Sequence, residues 1–313
     1  MKLLFAGTPQ FAVAPLVALM KEFDVVGVVT QEDKPQGRKR ILTPSPVKIC
    51  AAEHSLPVFQ PKSIRDEVDT LASFGADALV TCAYGQILTQ EIIDLFPLGV
   101  WNIHAGLLPF YRGASPVQSC ILNGEKESGV CVMRTVVALD AGDVLTCDKL
   151  TIGDDETAGE LSDRLSALSA SSIVRAMHAL NGGNYVLTPQ DDSKARIYRK
   201  ITREQAKIDF SSSAEEISRK VRAMNPEPIA HALHRGSPVN IYRVAVVTEA
   251  ELSDEQKTAK IGEILTDKPK QGLLIRCGNG AIKVLSLQPC GGKAMSAADY
   301  LNGGKAKKGE LFE

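Results

Sequence analysis

The sequence has no Cys-x-x-Cys pair, no Walker A run, no Gly-x-Ser-x-Gly elbow and no long apolar stretch. Each absence removes a class of function. With no Cys or Cys/His set at metal-ligand spacing, neither a structural zinc nor any other metal is expected. The seven cysteines (50, 82, 120, 131, 147, 277, 290) are odd in number and mostly lie inside apolar runs. They read as buried free thiols in a reducing compartment. Lack of a Walker A loop argues against P-loop nucleotide hydrolysis. Lack of the elbow argues against the serine nucleophile of an α/β-hydrolase. Runs such as Val25–Thr30 and Ala78–Ala83 are too short to span a bilayer. Met1 leads directly into a strand-like run, Lys2–Ala6, with no signal or transit segment ahead of it, so a cytoplasmic protein, or a mature form already trimmed, is expected. The dinucleotide fingerprint is missing too. Phe5-Ala-Gly-Thr-Pro9 follows the first strand, but it holds one glycine of the three required. NAD binding is disfavoured, and a structural turn is as good a reading there as a ligand loop.

What is present points to a globular enzyme. A chain of 313 residues suggests two domains, and 44% hydrophobic with 23% charged residues excludes a disordered chain. The net charge is −1, but it is unevenly spread: residues 1–205 carry 20 basic and 24 acidic side chains, and residues 206–313 carry 16 and 13. The sharpest local feature lies in the stretch 31–48. Lys34, Arg38, Lys39, Arg40 and Lys48 are basic, and no acid occurs from Lys34 to Lys48. Such a run is either a solvated face or a phosphate-contacting loop.

The first half alternates continuous Val/Leu/Ile runs with amphipathic stretches. Strands are predicted at Lys2–Ala6, Asp24–Thr30, Val58–Gln60, Ala78–Cys82 and Gly99–His104, with helices over Phe11–Lys21, Pro46–His54 and Ser63–Phe74. This is the pattern of an α/β doubly wound, mostly parallel sheet. Two closely spaced strands (Gly129–Val136, Asp143–Leu150) and a long helix (Thr157–Leu180) follow. A domain over 1–188 and a polar connection over 189–208 are expected. Residues 209–313 then hold a helix stopped by Asn225-Pro-Glu-Pro228, and short strands broken by glycines, which suggest a small β-barrel. His231 and His234 read as surface residues, and Lys305–Lys308 as a solvated tail.

The most informative segment is Gly99-Val-Trp-Asn-Ile-His-Ala-Gly-Leu-Leu-Pro-Phe-Tyr-Arg-Gly113. Residues two apart on a strand share a face, so Asn102 and His104 project together. They also sit at the carboxyl end of a parallel strand, where open α/β sheets place their ligands. Asn is an uncharged donor suited to a developing oxyanion, and His moves a proton near neutral pH. An acid to partner His104 is available in Leu139-Asp-Ala-Gly-Asp143, but the pattern leaves Asp140 and Asp143 both open. With no nucleophile and no metal set, direct transfer between two bound substrates fits best.

Asn102-Ile-His104, Leu107-Leu-Pro109, Arg112-Gly113, Pro116 and Asp140-Ala-Gly142 together resemble the formyltransferases that use 10-formyltetrahydrofolate. Phe5-Ala-Gly-Thr-Pro-Gln-Phe11, Asp33–Arg38 with Pro44–Lys48, Leu285–Pro289 and Gly292–Met295 narrow the likeness to the branch acting on initiator methionyl-tRNA. The resemblance implies a Rossmann-like catalytic domain followed by an OB-like, tRNA-gripping domain. It implies Asn102, His104 and Asp140 as catalytic residues, with the acid falling on Asp140. Gly106, Leu107, Leu108 and Pro109 would contact the folate, and Arg38, Lys39 and Arg40 the tRNA. A monomer is expected. The alternative is a folate-dependent formyltransferase acting on a small amine, either a purine precursor or an amino sugar nucleotide. Two positions depart from the family: Gly106 stands where Ser is usual, and Glu227 where an aromatic is common.

Overall fold

The computed structural model of the chain describes residues 1–37 and 39–313. Contacts divide it into two units. One holds Met1–Pro116, Glu127–Thr151 and Ser162–Tyr198; the other holds Val117–Lys126, Ile152–Leu161 and Arg199–Glu313.

In the first unit the strands are β1 (Lys2–Gly7), β2 (Asp24–Val29), β3 (Lys34–Gln36), β4 (Ile41–Thr43), β5 (Val58–Phe59), β6 (Ala78–Cys82), β7 (Val100–His104), β8 (Arg112–Gly113), β9 (Glu127–Arg134), β10 (Val144–Thr151) and β11 (Ile197–Tyr198). The main sheet has the order β10-β9-β7-β6-β1-β2-β5. Neighbours from β7 to β5 run parallel, while β9 and β10 are antiparallel additions. Leu3–Ala6 and Ala78–Val80 are buried without alternation, as a sheet covered on both faces requires. The parallel strands all end on one edge, at Gly7, Val29, Phe59, Cys82 and His104. Helix Pro46–Glu53 starts where Ser45 accepts the Lys48 N–H at 3.0 Å and Pro46 occupies the first turn. Helix Ala158–Asn181 is followed by Gly182 and by Gly183 at positive φ, the stop expected there.

The cysteine reading needs a correction. Cys131 on β9 and Cys147 on β10 face each other across the antiparallel ladder, 4.1 Å apart at Cα, and form a disulfide. Strand register, which residue spacing does not reveal, brings them together. Cys50, Cys82, Cys120 and Cys277 are buried thiols, and Cys290 is exposed. Burial pushes the Cys82 thiol well up, and that of Cys277 up to about 12, so both stay protonated.

In the second unit β12 (His231–His234), β13 (Ser237–Val247), β14 (Ile264–Thr266), β15 (Leu273–Arg276), β16 (Ala281–Pro289) and β17 (Met295–Ser296) form a curled antiparallel sheet of order β12-β13-β16-β15-β14, with β17 on β16. Helix Ala214–Ala223 opens with a capping box between Ser213 and Glu216 and buries Ile217 and Val221 in the barrel core.

The two edges of this sheet are joined by the C-terminal segment. Glu313 exchanges backbone hydrogen bonds with Leu233, Phe312 N–H donates to Gly262, and Ile264 N–H donates to Glu310. Within the stretch expected to be solvated, Lys305, Lys307 and Lys308 are exposed while Ala306 is buried, and Phe312 beyond it is also buried in the barrel core. The reading of His234 as a surface residue is corrected as well. Its ring stacks on Phe312 at 4.5 Å, with Nδ1 2.9 Å from the Tyr300 hydroxyl and Nε2 3.1 Å from Glu310. A carboxylate only accepts, so Nε2 is the protonated nitrogen and Nδ1 accepts from Tyr300.

Burial holds the His234 ring below its ordinary pKa, against the opposing pull of Glu310. The unfolded chain therefore binds this proton more readily, and stability falls as pH drops below about 6.5. Hydrogen exchange in urea across residues 231–247 should show a lower midpoint at pH 5.5 than at pH 7.5, and His234→Phe should flatten that difference. An equal pH dependence in the variant would assign the effect to other groups.

Candidate active site

Strand β7 is the last of the parallel series, and its other edge carries antiparallel β9. Along it Ile103 turns into the buried core, while Asn102 and His104 share the opposite face. Asn102 pairs in register with Thr81 of β6, and the Thr81 hydroxyl donates to Asn102 Oδ1 at 2.8 Å. That bond fixes which way the amide points. Its oxygen is engaged by Thr81, so its nitrogen is the end presented to a ligand.

His104 is buried and anchored through one ring nitrogen. Nε2 lies 2.5 Å from the Tyr111 carbonyl oxygen, so Nε2–H donates. Nδ1 lies 3.6 Å from Asp140 Oδ2. Asp140 in turn accepts the Gly113 N–H at 2.8 Å. Of the two acids in the turn, Asp140 faces the imidazole, whereas Asp143 gives its backbone carbonyl to the Arg134 N–H. Asp140 has φ +47°, a left-handed conformation that Asp tolerates better than most residues.

The loop after β7 doubles back through a cis Leu108–Pro109 peptide to Tyr111 and β8. Leu107, Leu108 and Pro109 are half-buried apolar side chains, and Phe110 is exposed. Gly106 differs from them. It is buried, and a Cβ there would lie 2.7 Å from Pro116 Cβ and 3.2 Å from both Tyr111 Cβ and His104 Nε2. The loop has closed over the place where a side chain would stand. Strand β8 pairs with β11, and Gly113, at φ +104°, lies too close to the Tyr198 carbonyl for any side chain. Tyr111 and Tyr198 stack at 5.0 Å.

The basic stretch is a β3–β4 hairpin rather than a loose loop. Lys39 and Arg40 are exposed near its turn, next to exposed Ile41 and Leu42. Arg38 lies outside the described residues. Lys48 is neutralised by Asp33 at 2.7 Å. Gln60 and Lys48, by hydrogen bonding, hold the Asp33 carboxyl below its usual value. Among the described residues no group of three or more His, Cys, Asp or Glu could hold a metal ion, and no helix is long and apolar enough to cross a membrane.

Three members of this site escape sequence reasoning. Thr81 left a weak signal, a polar residue near the end of an apolar strand. Tyr111 acts through its backbone, and Gln190, which donates to the Asp140 and Gly142 carbonyls, sits in a stretch that reads as connection.

Comparison with known proteins gives a consistent family. Residues 1–177 match the formyl transferase family, and residues 200–305 match the formyl transferase C-terminal domain. A methionyl-tRNA formyltransferase of Xanthomonas oryzae pv. oryzae (strain PXO99A) is 43% identical over 305 residues, covering 96% of this chain and 97% of the relative. Among solved structures, the sugar 3N-formyl transferase WlaRD, in the presence of dTDP and 5-N-formyl-THF, superposes with a TM-score of 0.65 at 20% identity, covering 93% of this chain and 98% of its own. HypX from Aquifex aeolicus in complex with tetrahydrofolic acid gives 0.63 at 18% identity over 96% of this chain, which spans 47% of that longer one. At these identities the two structures speak to the fold.

The close packing at Gly106 has a measurable consequence. Gly106→Ser should destabilise the first unit by about 1–3 kcal/mol through overpacking. Thermal unfolding followed by the fluorescence of Trp101, the sole tryptophan, reports this directly. An unchanged midpoint would mean that Pro116 and Tyr111 yield freely.

Proposed function

The chain belongs to the formyl transferase family, and from that membership we propose that it transfers the formyl group of 10-formyltetrahydrofolate to the α-amino group of methionyl initiator tRNA, giving the formylmethionyl-tRNA of translation initiation. The observation that carries this reading is 43% identity, across both domains, to a methionyl-tRNA formyltransferase of matching length. A small-amine substrate has weaker support, since the sugar formyltransferase resembles this chain only at 20% identity. The division of labour proposed here gives residues 1–188 the chemistry, residues 209–313 the RNA backbone, and residues 189–208 the connection. A cytoplasmic monomer is part of the same reading.

The residues fit the folate. Half-buried apolar side chains at Leu107, Leu108 and Pro109, beside an oriented amide donor, suit a flat and largely apolar ring system. In this role Gly106 contributes backbone rather than a side chain. When bound, the folate supplies an activated formyl carbon on nitrogen. The Asn102 amide donates to the oxygen that gains charge as the amine adds, aided by His104. Asp140 keeps the imidazole in place and, with it, helps pass the proton that the attacking amine loses to the folate nitrogen that leaves. The attacking amine must be neutral, so turnover falls in acid. Lys39 and Arg40 would contact tRNA phosphates from the hairpin turn, and the resemblance assigns Arg38 the same role.

Asn102→Ala and Asp140→Asn should each lower kcat by about 100- to 1,000-fold, with KM for methionyl-tRNA within about twofold, since neither touches the RNA. Near-normal turnover in both would reject the assignment. Arg38→Ala should instead raise KM for tRNA and reduce the salt slope of binding by about one. Equal loss of folate and tRNA binding would count against a tRNA-contacting role for Arg38.

A further inference from the structure

We propose that Gln190 is a positioning residue for Asp140, acting through a closed ring of hydrogen bonds that ties the acid's turn to the loop after β7. This rests on the catalytic reading of Asp140 above.

Asp140 is in a left-handed conformation, uncommon for a non-glycine residue though Asp visits it more readily than most. Gln190 braces it there: its Nε2 donates to the Asp140 carbonyl at 2.8 Å and to the Gly142 carbonyl at 2.7 Å. Both amide hydrogens are thereby committed to the turn. The other end of the amide is fixed as well, because Arg112 Nε donates to Gln190 Oε1 at 3.0 Å. Arg112 is a buried guanidinium, and its Nη2 pairs with Asp192 at 2.6 Å. The ring closes through the next residue, since Gly113 N–H donates to the Asp140 carboxylate at 2.8 Å. Backbone and side chain of Asp140 are thus gripped by two partners that are themselves joined through Arg112. Loosening Gln190 frees the turn to relax and carries the carboxylate away from His104 Nδ1.

The geometry also separates donation from packing. Gln190→Glu keeps the shape but puts a carboxylate against two carbonyl oxygens. A residue that merely filled space would tolerate that change, whereas a donor would not.

The test is a double-mutant cycle on formyl transfer from 10-formyltetrahydrofolate to methionyl initiator tRNA, using the full chain. Gln190→Ala and Gln190→Glu should each lower kcat by about 10- to 100-fold, a misplacement-sized effect, with KM for both substrates within about twofold. In the Asp140→Asn background neither should cause further loss, because the group being positioned is already gone. Repetition of the full loss in that background would make Gln190 a general structural residue and overturn the proposal. Wild-type turnover in both single variants, with Asp140→Asn inactive, would overturn it alone. An active Asp140→Asn would remove the catalytic assignment and this proposal with it. If the Gln190 variants do not fold, Arg112→Lys carries the same cycle, since it drops the Nε donor to Gln190 while retaining a cation for Asp192.

Discussion

The pairing of β7 on both edges is the constraint from which the site follows. On one edge parallel β6 sets Thr81 beside Asn102; on the other antiparallel β9 sets Cys131 beside His104. A one-residue slip against either neighbour would turn Asn102 and His104 into the core and Ile103 outward. Burial of the apolar face of the strand therefore fixes the direction of two polar side chains, and the hydrophobic core orients the chemistry. The turn at 135–143 that brings Asp140 to the imidazole joins antiparallel β9 and β10, and β9 is the neighbour of β7.

Each polar group at the site is oriented by a partner that takes up its unwanted valence. The Thr81 hydroxyl engages the Asn102 oxygen and leaves the nitrogen to donate. The Tyr111 carbonyl accepts from His104 Nε2–H, which leaves Nδ1 facing Asp140. Gly113 and Gln190 hold the acid by its carboxylate and its carbonyl. Such preorganisation limits how much the site must rearrange as charge develops. The second unit uses the same economy for another end, with His234 satisfied between Tyr300 and Glu310 beneath the segment that closes the barrel.

Much of this was legible from residue order, for physical reasons. Strands buried on both faces need unbroken apolar runs, so β1, β2 and β6 stand out in composition. The period of two along a strand put Asn102 and His104 on one face without any structure. The choice between Asp140 and Asp143 was not available from their spacing, because it depends on a single left-handed residue and on where β8 lies. Nor could spacing reveal pairings between distant segments. The disulfide needs the β9–β10 register, the β8–β11 pair joins residues far apart in sequence, and the closure of the barrel by residues 310–313 depends on contacts with distant strands. His234 was misread because its burial depends on Phe312 and Glu310 arriving from the chain end. Gln190 was hidden for a similar reason: it lies in a stretch without periodicity and matters only through what it touches.

The most direct measurement is a crystal structure with a bound, non-transferring formyl-folate analogue and a methionyl acceptor-end mimic. The account predicts the formyl oxygen about 2.7–3.1 Å from Asn102 Nδ2, with Asp140 still facing His104 and the amine seated on the same side. A formyl group lodged away from Asn102, or an amine held where neither His104 nor Asp140 can reach it, would contradict the account.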